Sequence, residues 1–269
     1  MHLSIRHETH YDYSTPLEYA LQSLCLTPSA NEHQTVQRWA LQVPGTLYSQ
    51  VDGYGNQMHT WTLARRVWRG TVRAQGLVET HASPELSDAK GSLAPQVYLR
   101  ATALTEADET LRQLGRKHLA RGVHRAALME LADEVVARVR YRSGQTDVST
   151  TAAKALEQGE GVCQDQAHVM LAACRANGVA ARYVSGYFYS PGAPDLASHA
   201  WVDVCLDIGA CRWLSIDITH RCLMDERHVR LAVGPDYAAC SPIRGVRSGG
   251  GEEAMKVDIV IERANEVAA

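Results

Sequence analysis

Apolar and polar residues alternate at the start of the chain. Leu3, Ile5, Tyr11 and Tyr13 fall on odd positions, with Ser4, Arg6, Glu8 and Asp12 between them. That period of two predicts a half-buried strand, which Pro16 is expected to end. Further strand-like runs fall at 23–27, 37–42, 58–63 and 77–80. Turn-forming stretches separate them: Pro28-Ser29-Ala30-Asn31, Pro44-Gly45 and Asp52-Gly53-Tyr54-Gly55-Asn56. Short strands at this spacing predict a small antiparallel sandwich.

The pattern changes after a polar stretch at 83–95, read as a linker. Thr105-Glu106-Ala107-Asp108 has the make-up of a helix start ahead of Leu111, Leu114 and Leu119. Between Arg125 and Tyr141 the residues Leu128, Leu131, Val135 and Val139 recur at helical spacing, so one stripe faces a core. Ser149-Thr150-Thr151 can cap a short helix, which Gly159-Glu160-Gly161 stops. Cys163 then opens an apolar helix that runs to Asn177-Gly178. Three strand-like runs follow, at 181–189, 199–206 and 212–218. A last one covers 255–262, after the Ser248-Gly249-Gly250-Gly251 turn, and is expected to complete a sheet. The chain is thus α+β, with units at 1–95, 96–245 and 246–269.

Composition narrows the function. A net charge of -3 offers no basic field for nucleic acid or an anionic membrane surface, so neither is expected as a partner. The N-terminal residues lack the apolar core of a signal peptide, and no apolar run is long enough to span a bilayer. The expected location is the cytoplasm. Seven cysteines with no C-x-x-C pair argue against a disulfide scaffold and a zinc ribbon, and no metal or cofactor is implied.

The chemistry gathers around Gly161-Val162-Cys163-Gln164-Asp165. A thiol at the first turn of a buried helix meets unpaired N–H groups and the positive end of the helix dipole, which favour a nucleophilic thiolate. In the run 199–206, His199, Trp201, Asp203 and Cys205 share one face. In 212–218, Trp213, Ser215 and Asp217 do. A hairpin centred on Ile208 sets His199 opposite Asp217, with Cβ atoms about 5 Å apart. At that separation a carboxylate can orient an imidazole, and Cys163 completes a nucleophile, base and orienter. The same hairpin opposes Cys205 to Cys211. Cys174 lies about 16 Å along the helix from Cys163 and is expected in the core. Asp165 is expected to satisfy first-turn N–H groups, and His168 to pack in the interior.

In order, Gly161-Val162-Cys163-Gln164-Asp165, Ala180 to Tyr187, Ser198-His199-Ala200-Trp201-Val202 and Trp213-Leu214-Ser215-Ile216-Asp217 resemble the core of the bacterial transglutaminase-like superfamily. Tyr11-Asp12-Tyr13, Leu24 to Pro28, Gly55-Asn56 and Val78-Glu79-Thr80 resemble its β-rich N-terminal region. Asp225 to His228, Gly234 to Tyr237 and Pro242 to Gly245 resemble its closing segment. The resemblance implies a papain-like cysteine enzyme: a β-sandwich-like N-terminal domain, then a core whose nucleophile opens a helix packed on an antiparallel sheet. It implies catalysis by Cys163, His199 and Asp217, through a thioester, on a peptide or protein amide, with water or an amine as acceptor. A catalytically silent peptide-binding module of the same fold is the alternative.

Two departures from the family pattern stand out. Asp217-Ile218-Thr219-His220 replaces an aspartate–proline pair followed by an asparagine, so His220 competes as an acid/base residue. The strand parity favours Asp217 and sends His220 to the other face. Gln166 stands where an aromatic is common.

Overall fold

The computed structural model describes residues 1–192 and 198–264. The N-terminal region holds β1 (His2–Leu24), β2 (Gln34–Gln42), β3 (Thr46–Val51), β4 (Gln57–Leu63) and β5 (Val67–Thr80). Pro16 does not end the first strand. β1 pairs with β5 up to Asp12 and again at Leu17, and the irregularity between them carries the proline where no ladder hydrogen bond is needed. Thr15 and Pro16 exchange backbone hydrogen bonds with Gly250 instead. β1 thereby serves two halves of one curled sheet. Its first half pairs with β5, and its second half, Ala20 to Leu24, with β4. The inward residues of both halves, among them Leu3, Ile5, Leu24, Trp61 and Val78, form one core.

The predicted linker contains β6 (Glu85–Ser87), which joins the second sheet. Three helices follow, α1 (Glu109–Leu119), α2 (Arg125–Arg138) and α3 (Ala152–Gln158). The Asp108 carboxylate caps α1 by accepting from the Leu111 N–H, and Thr151 caps α3 through the Lys154 N–H. Gly159, at φ 72°, ends α3 in the left-handed conformation that favours glycine. Short strands β7 (Arg140–Tyr141) and β8 (Glu160–Gly161) pair in parallel and deliver the chain to α4 (Cys163–Arg175).

The second sheet adds β9 (Ala181–Phe188), β10 (Ser198–Asp207), β11 (Arg212–Asp217), β12 (Cys222–Leu223) and β13 (His228–Gly234). Its order is β12-β11-β10-β9-β13, with β6 beside β11. After it come α5 (Tyr237–Cys240), β14 (Ile243–Gly249) and β15 (Glu253–Arg263). Both of these last strands pair with β1, so the C-terminal strand belongs to the first sheet. Helix α4 is buried along almost its whole length, packed on Ala200, Val202 and Val204 of β10 and against α1, α2 and α3. The expected fold class is the one observed: a curled β-rich N-terminal part, and a core in which the cysteine opens a helix lying on an antiparallel sheet. Among the described residues no helix is long and apolar enough to cross a membrane.

Candidate active site

Cys163 is the first residue of α4, half-buried, at the end of the helix where N–H groups lack intrahelical partners. The turn before it is tied down by Asp165. One carboxylate oxygen accepts the Val162 N–H at 2.7 Å and the Thr146 hydroxyl at 2.7 Å. This is the first-turn role expected of Asp165, and it takes the Val162 N–H out of contention as an oxyanion donor.

His199 and Asp217 are both fully buried, and the Nε2–H of His199 donates to Asp217 Oδ2 at 2.8 Å. The hairpin that unites them differs from the expected one. Val202 pairs with Ile216 and Cys205 with Trp213, a register displaced by two residues from a turn centred on Ile208. The turn is wider, with Cys211 at φ 48° and a ladder irregularity between Cys205 and Asp207. A two-residue displacement preserves faces, whereas one residue would have separated the pair. Cys205 consequently does not oppose Cys211.

His199 Nδ1 is buried without a hydrogen-bond partner, and Cys163 is close enough for its charge to act on the ring. Burial alone would push the imidazole pKa down. The Asp217 charge and hydrogen bond, aided by Cys163, outweigh it and raise the pKa to about 10. Burial likewise opposes the charge on Asp217, but the His199 charge and the imidazole hydrogen bonds hold its carboxyl well below the usual range. Trp201 stacks beside His199 at 6.0 Å between centroids, and Phe188 lies at 5.5 Å.

Two further histidines enter the site. Beyond the end of β11 the chain turns back, so His220 does not leave on the other face. Its Nδ1–H donates to Asp217 Oδ2 at 2.7 Å and its backbone N–H to Oδ1 at 3.1 Å, while its ring stacks on Phe188 at 4.0 Å. Strand parity misplaced it because parity stops applying where the strand ends. His228, the first residue of β13, was not singled out from the sequence, and its Nε2–H donates to the same oxygen at 2.9 Å. Its signal was a lone histidine opening the strand-like run Val229-Arg230-Leu231-Ala232-Val233, three residues after Asp225. Gln166 braces this corner: its amide donates to the Val139 carbonyl and its oxygen accepts from Thr219. A polar residue thus does by hydrogen bonding what an aromatic would do by packing. His168 is buried and accepts from the Tyr237 N–H, while Cys174 is buried in the core.

Among the described residues, His199, Asp217 and His228 offer three donor atoms within 4.8 Å of one another. Both imidazoles are hydrogen-bonded to the Asp217 carboxylate.

A cysteine at a helix start, beside an antiparallel sheet that carries a histidine hydrogen-bonded to an aspartate, defines the transglutaminase-like class of folds. Residues 116–218 match the Transglutaminase-like superfamily, and residues 3–79 match the Bacterial transglutaminase-like N-terminal region. The chain belongs to the transglutaminase-like superfamily. It is similar to uncharacterized proteins of Mycobacterium leprae (strain TN), 28% identical over 97% of this chain and 97% of the relative, and of Mycobacterium tuberculosis (strain ATCC 25618 / H37Rv), 28% identical over 96% and 91%. A crystal structure from Cytophaga hutchinsonii, named as a candidate cysteine protease, shares the fold. Its TM-score is 0.76 at 19% identity, over 98% of this chain and 92% of that one.

Proposed function

We propose that the protein is a cysteine-dependent enzyme that transfers acyl groups from amide bonds. The observation that carries this reading is the buried hydrogen bond between His199 Nε2 and Asp217, on a ring whose charge is coupled to Cys163 at the start of α4. Asp217 fixes the tautomer and stabilises the imidazolium. His199 holds the thiol proton as an imidazolium while the Cys163 sulfur attacks the carbonyl carbon, then gives it to the departing amine. The N–H of Cys163, at the helix start, faces the developing oxyanion. The resulting thioester is resolved by water, as in a protease or amidase, or by an amine, as in a transglutaminase. The substrate class is a peptide or protein amide. The seven cysteines are free thiols, which suits action in the reducing cytoplasm.

Iodoacetamide near neutral pH, with the adduct mapped, is expected to label Cys163 ahead of the other six thiols. Glutamine-containing peptides, offered with and without a primary amine, separate hydrolysis from transamidation. Cys163→Ala is expected to lower either activity on the order of 10⁴-fold. Labelling of Cys163 no faster than that of half-buried Cys211 and Cys222 would sink the proposal.

A further inference from the structure

One oxygen, Asp217 Oδ2, receives three imidazole N–H donors: His199 at 2.8 Å, His220 at 2.7 Å and His228 at 2.9 Å. The mechanism above uses one. The other two are held there by independent elements. His220 is locked by its own backbone N–H on Oδ1 and by its stack on Phe188, and its ring meets His199 edge to face at 5.0 Å. His228 is fixed from behind, its Nδ1 lying 3.2 Å from Asp225 Oδ1, and Arg227 pins Asp225 at 2.6 Å. Each ring turns one N–H toward the carboxylate, so Asp217 sets the orientation of all three.

We propose that His220 and His228 are positioning residues that set how firmly His199 holds its proton, by competing with it for the same carboxylate oxygen. The inference rests on the proposed role of His199. A carboxylate that already accepts two other hydrogen bonds attracts the His199 proton less strongly, because its negative charge is shared among three donors. Removing one competitor leaves the charge freer for His199, and the imidazolium then persists to higher pH. The charged and titratable groups facing the cluster are Cys163 from α4, Cys222 from β12, and Asp225 with Arg227 ahead of β13. Arg227 neutralises Asp225 and lies over Phe188 at 5.0 Å, so the Asp225–Arg227 pair adds little net charge. His220, with 22% of its side chain exposed, is the member of the three that reaches solvent. It can be replaced without opening the core.

The test compares His220→Ala, which removes the donor, with His220→Asn, whose amide nitrogen can reach the position of Nδ1. His228→Gln likewise keeps a donor near Nε2, and His228→Leu removes it. Histidine ring NMR in a Cys163→Ala background follows His199 directly, since that background removes the thiol that also raises it. The midpoint is expected to rise by about one pH unit, roughly tenfold in proton affinity, in His220→Ala, and to return toward the parent value in His220→Asn. With Cys163 present, the alkaline limb of its alkylation rate is expected to shift the same way while the acid limb stays in place. The His220 pair suffices should His228→Leu not fold. A midpoint that Ala leaves unmoved, or that Ala and Asn move equally, overturns the inference. Failure of the proposed function reads differently, as unselective alkylation of Cys163 in the unmodified protein, and it leaves the NMR comparison interpretable.

Discussion

Gly161 has no room for a β-carbon. One built there lies 2.6 Å from Asp165 Oδ2 and 2.8 Å from Asp165 Cβ, the carboxylate that holds the Val162 N–H. The glycine is required by this close approach. Gly161→Ala is therefore expected to displace Asp165 and loosen the turn that aims Cys163. The cost is about 1–3 kcal/mol of stability by urea unfolding, with a slower alkylation of Cys163 than of the parent. An alanine variant with unchanged midpoint and labelling rate would show that the turn yields freely. Gly186 plays a similar part opposite His199, since a β-carbon there would meet the Val229 carbonyl at 2.2 Å and the Trp201 ring at 2.5 Å. The wall of aromatic rings beside the imidazole depends on that missing atom. These residue-scale requirements were only half legible in the sequence. Gly161 stands two residues before the thiol and reads as a helix stop. Its true constraint comes from a side chain four residues ahead, which no local pattern expresses.

At the scale of elements, the second sheet is held in register by buried charge as well as by its ladders. Asp203 of β10 accepts from Arg182 of β9 at 2.8 Å and from Arg230 of β13 at 2.6 Å, and also from the Ser215 hydroxyl of β11. Arg182 reaches on to Asp88 near β6 at 2.9 Å. Burial opposes the charge on Asp203, but the two guanidiniums hold its carboxyl well below the usual range. Asp203→Ala strands Arg230 in the interior and leaves Arg182 with Asp88 alone, and is expected to cost about 3–5 kcal/mol, read by urea unfolding. A loss under 1 kcal/mol would mean that the arginines find other partners. Asp203 lies on the face that carries His199, so the network and the site share one side of β10. The period-two pattern foretold that shared face, and it placed His199 and Asp217 together even though the register came out two residues away. Face is fixed by alternation alone, whereas register depends on the turn. That turn contains Gly209, but its left-handed residue is Cys211, so the glycine marks where the chain turns without giving the width of the turn. The exposed edge strand β3 was missed for a related reason, since exposure on both sides leaves no alternation to read.

The whole molecule joins its two sheets through polar contacts that water would otherwise satisfy. His7 of β1 shares a hydrogen bond with the Tyr187 hydroxyl of β9 at 2.8 Å. His33 Nε2 donates to the His228 carbonyl at 2.8 Å, and Gln34 binds both the carbonyl and the N–H of Arg230. The contact holding His33 thus grips the residue that also holds Asp217. Burial pushes His7 and His33 down to about 4, and interior His168 likewise. The unfolded chain takes protons on these three histidines from about pH 6.5 downward while the folded chain refuses them until about pH 4. Stability therefore falls as pH drops through that window, by at most about 1.4 kcal/mol per unit for each group. Below it, Asp203 and Asp217, whose carboxyls are depressed in the fold, lose their contributions as they protonate. On the alkaline side the sign reverses. His199, raised to about 10, contributes fully below pH 6.5 and loses that contribution as pH climbs toward 10. Burial lowers His228, but its bonds to Asp217 and Asp225 prevail and raise it, so it acts in the same direction. The urea midpoint is accordingly expected to peak near pH 6.5 and to fall on both sides. His7→Gln should flatten the acid slope by about one proton, and His33→Gln should do the same while also loosening the His228 end of the site. An acid slope that neither variant changes would mean that these histidines titrate alike in the folded and unfolded chains, and that the join between the sheets is not what acid undoes.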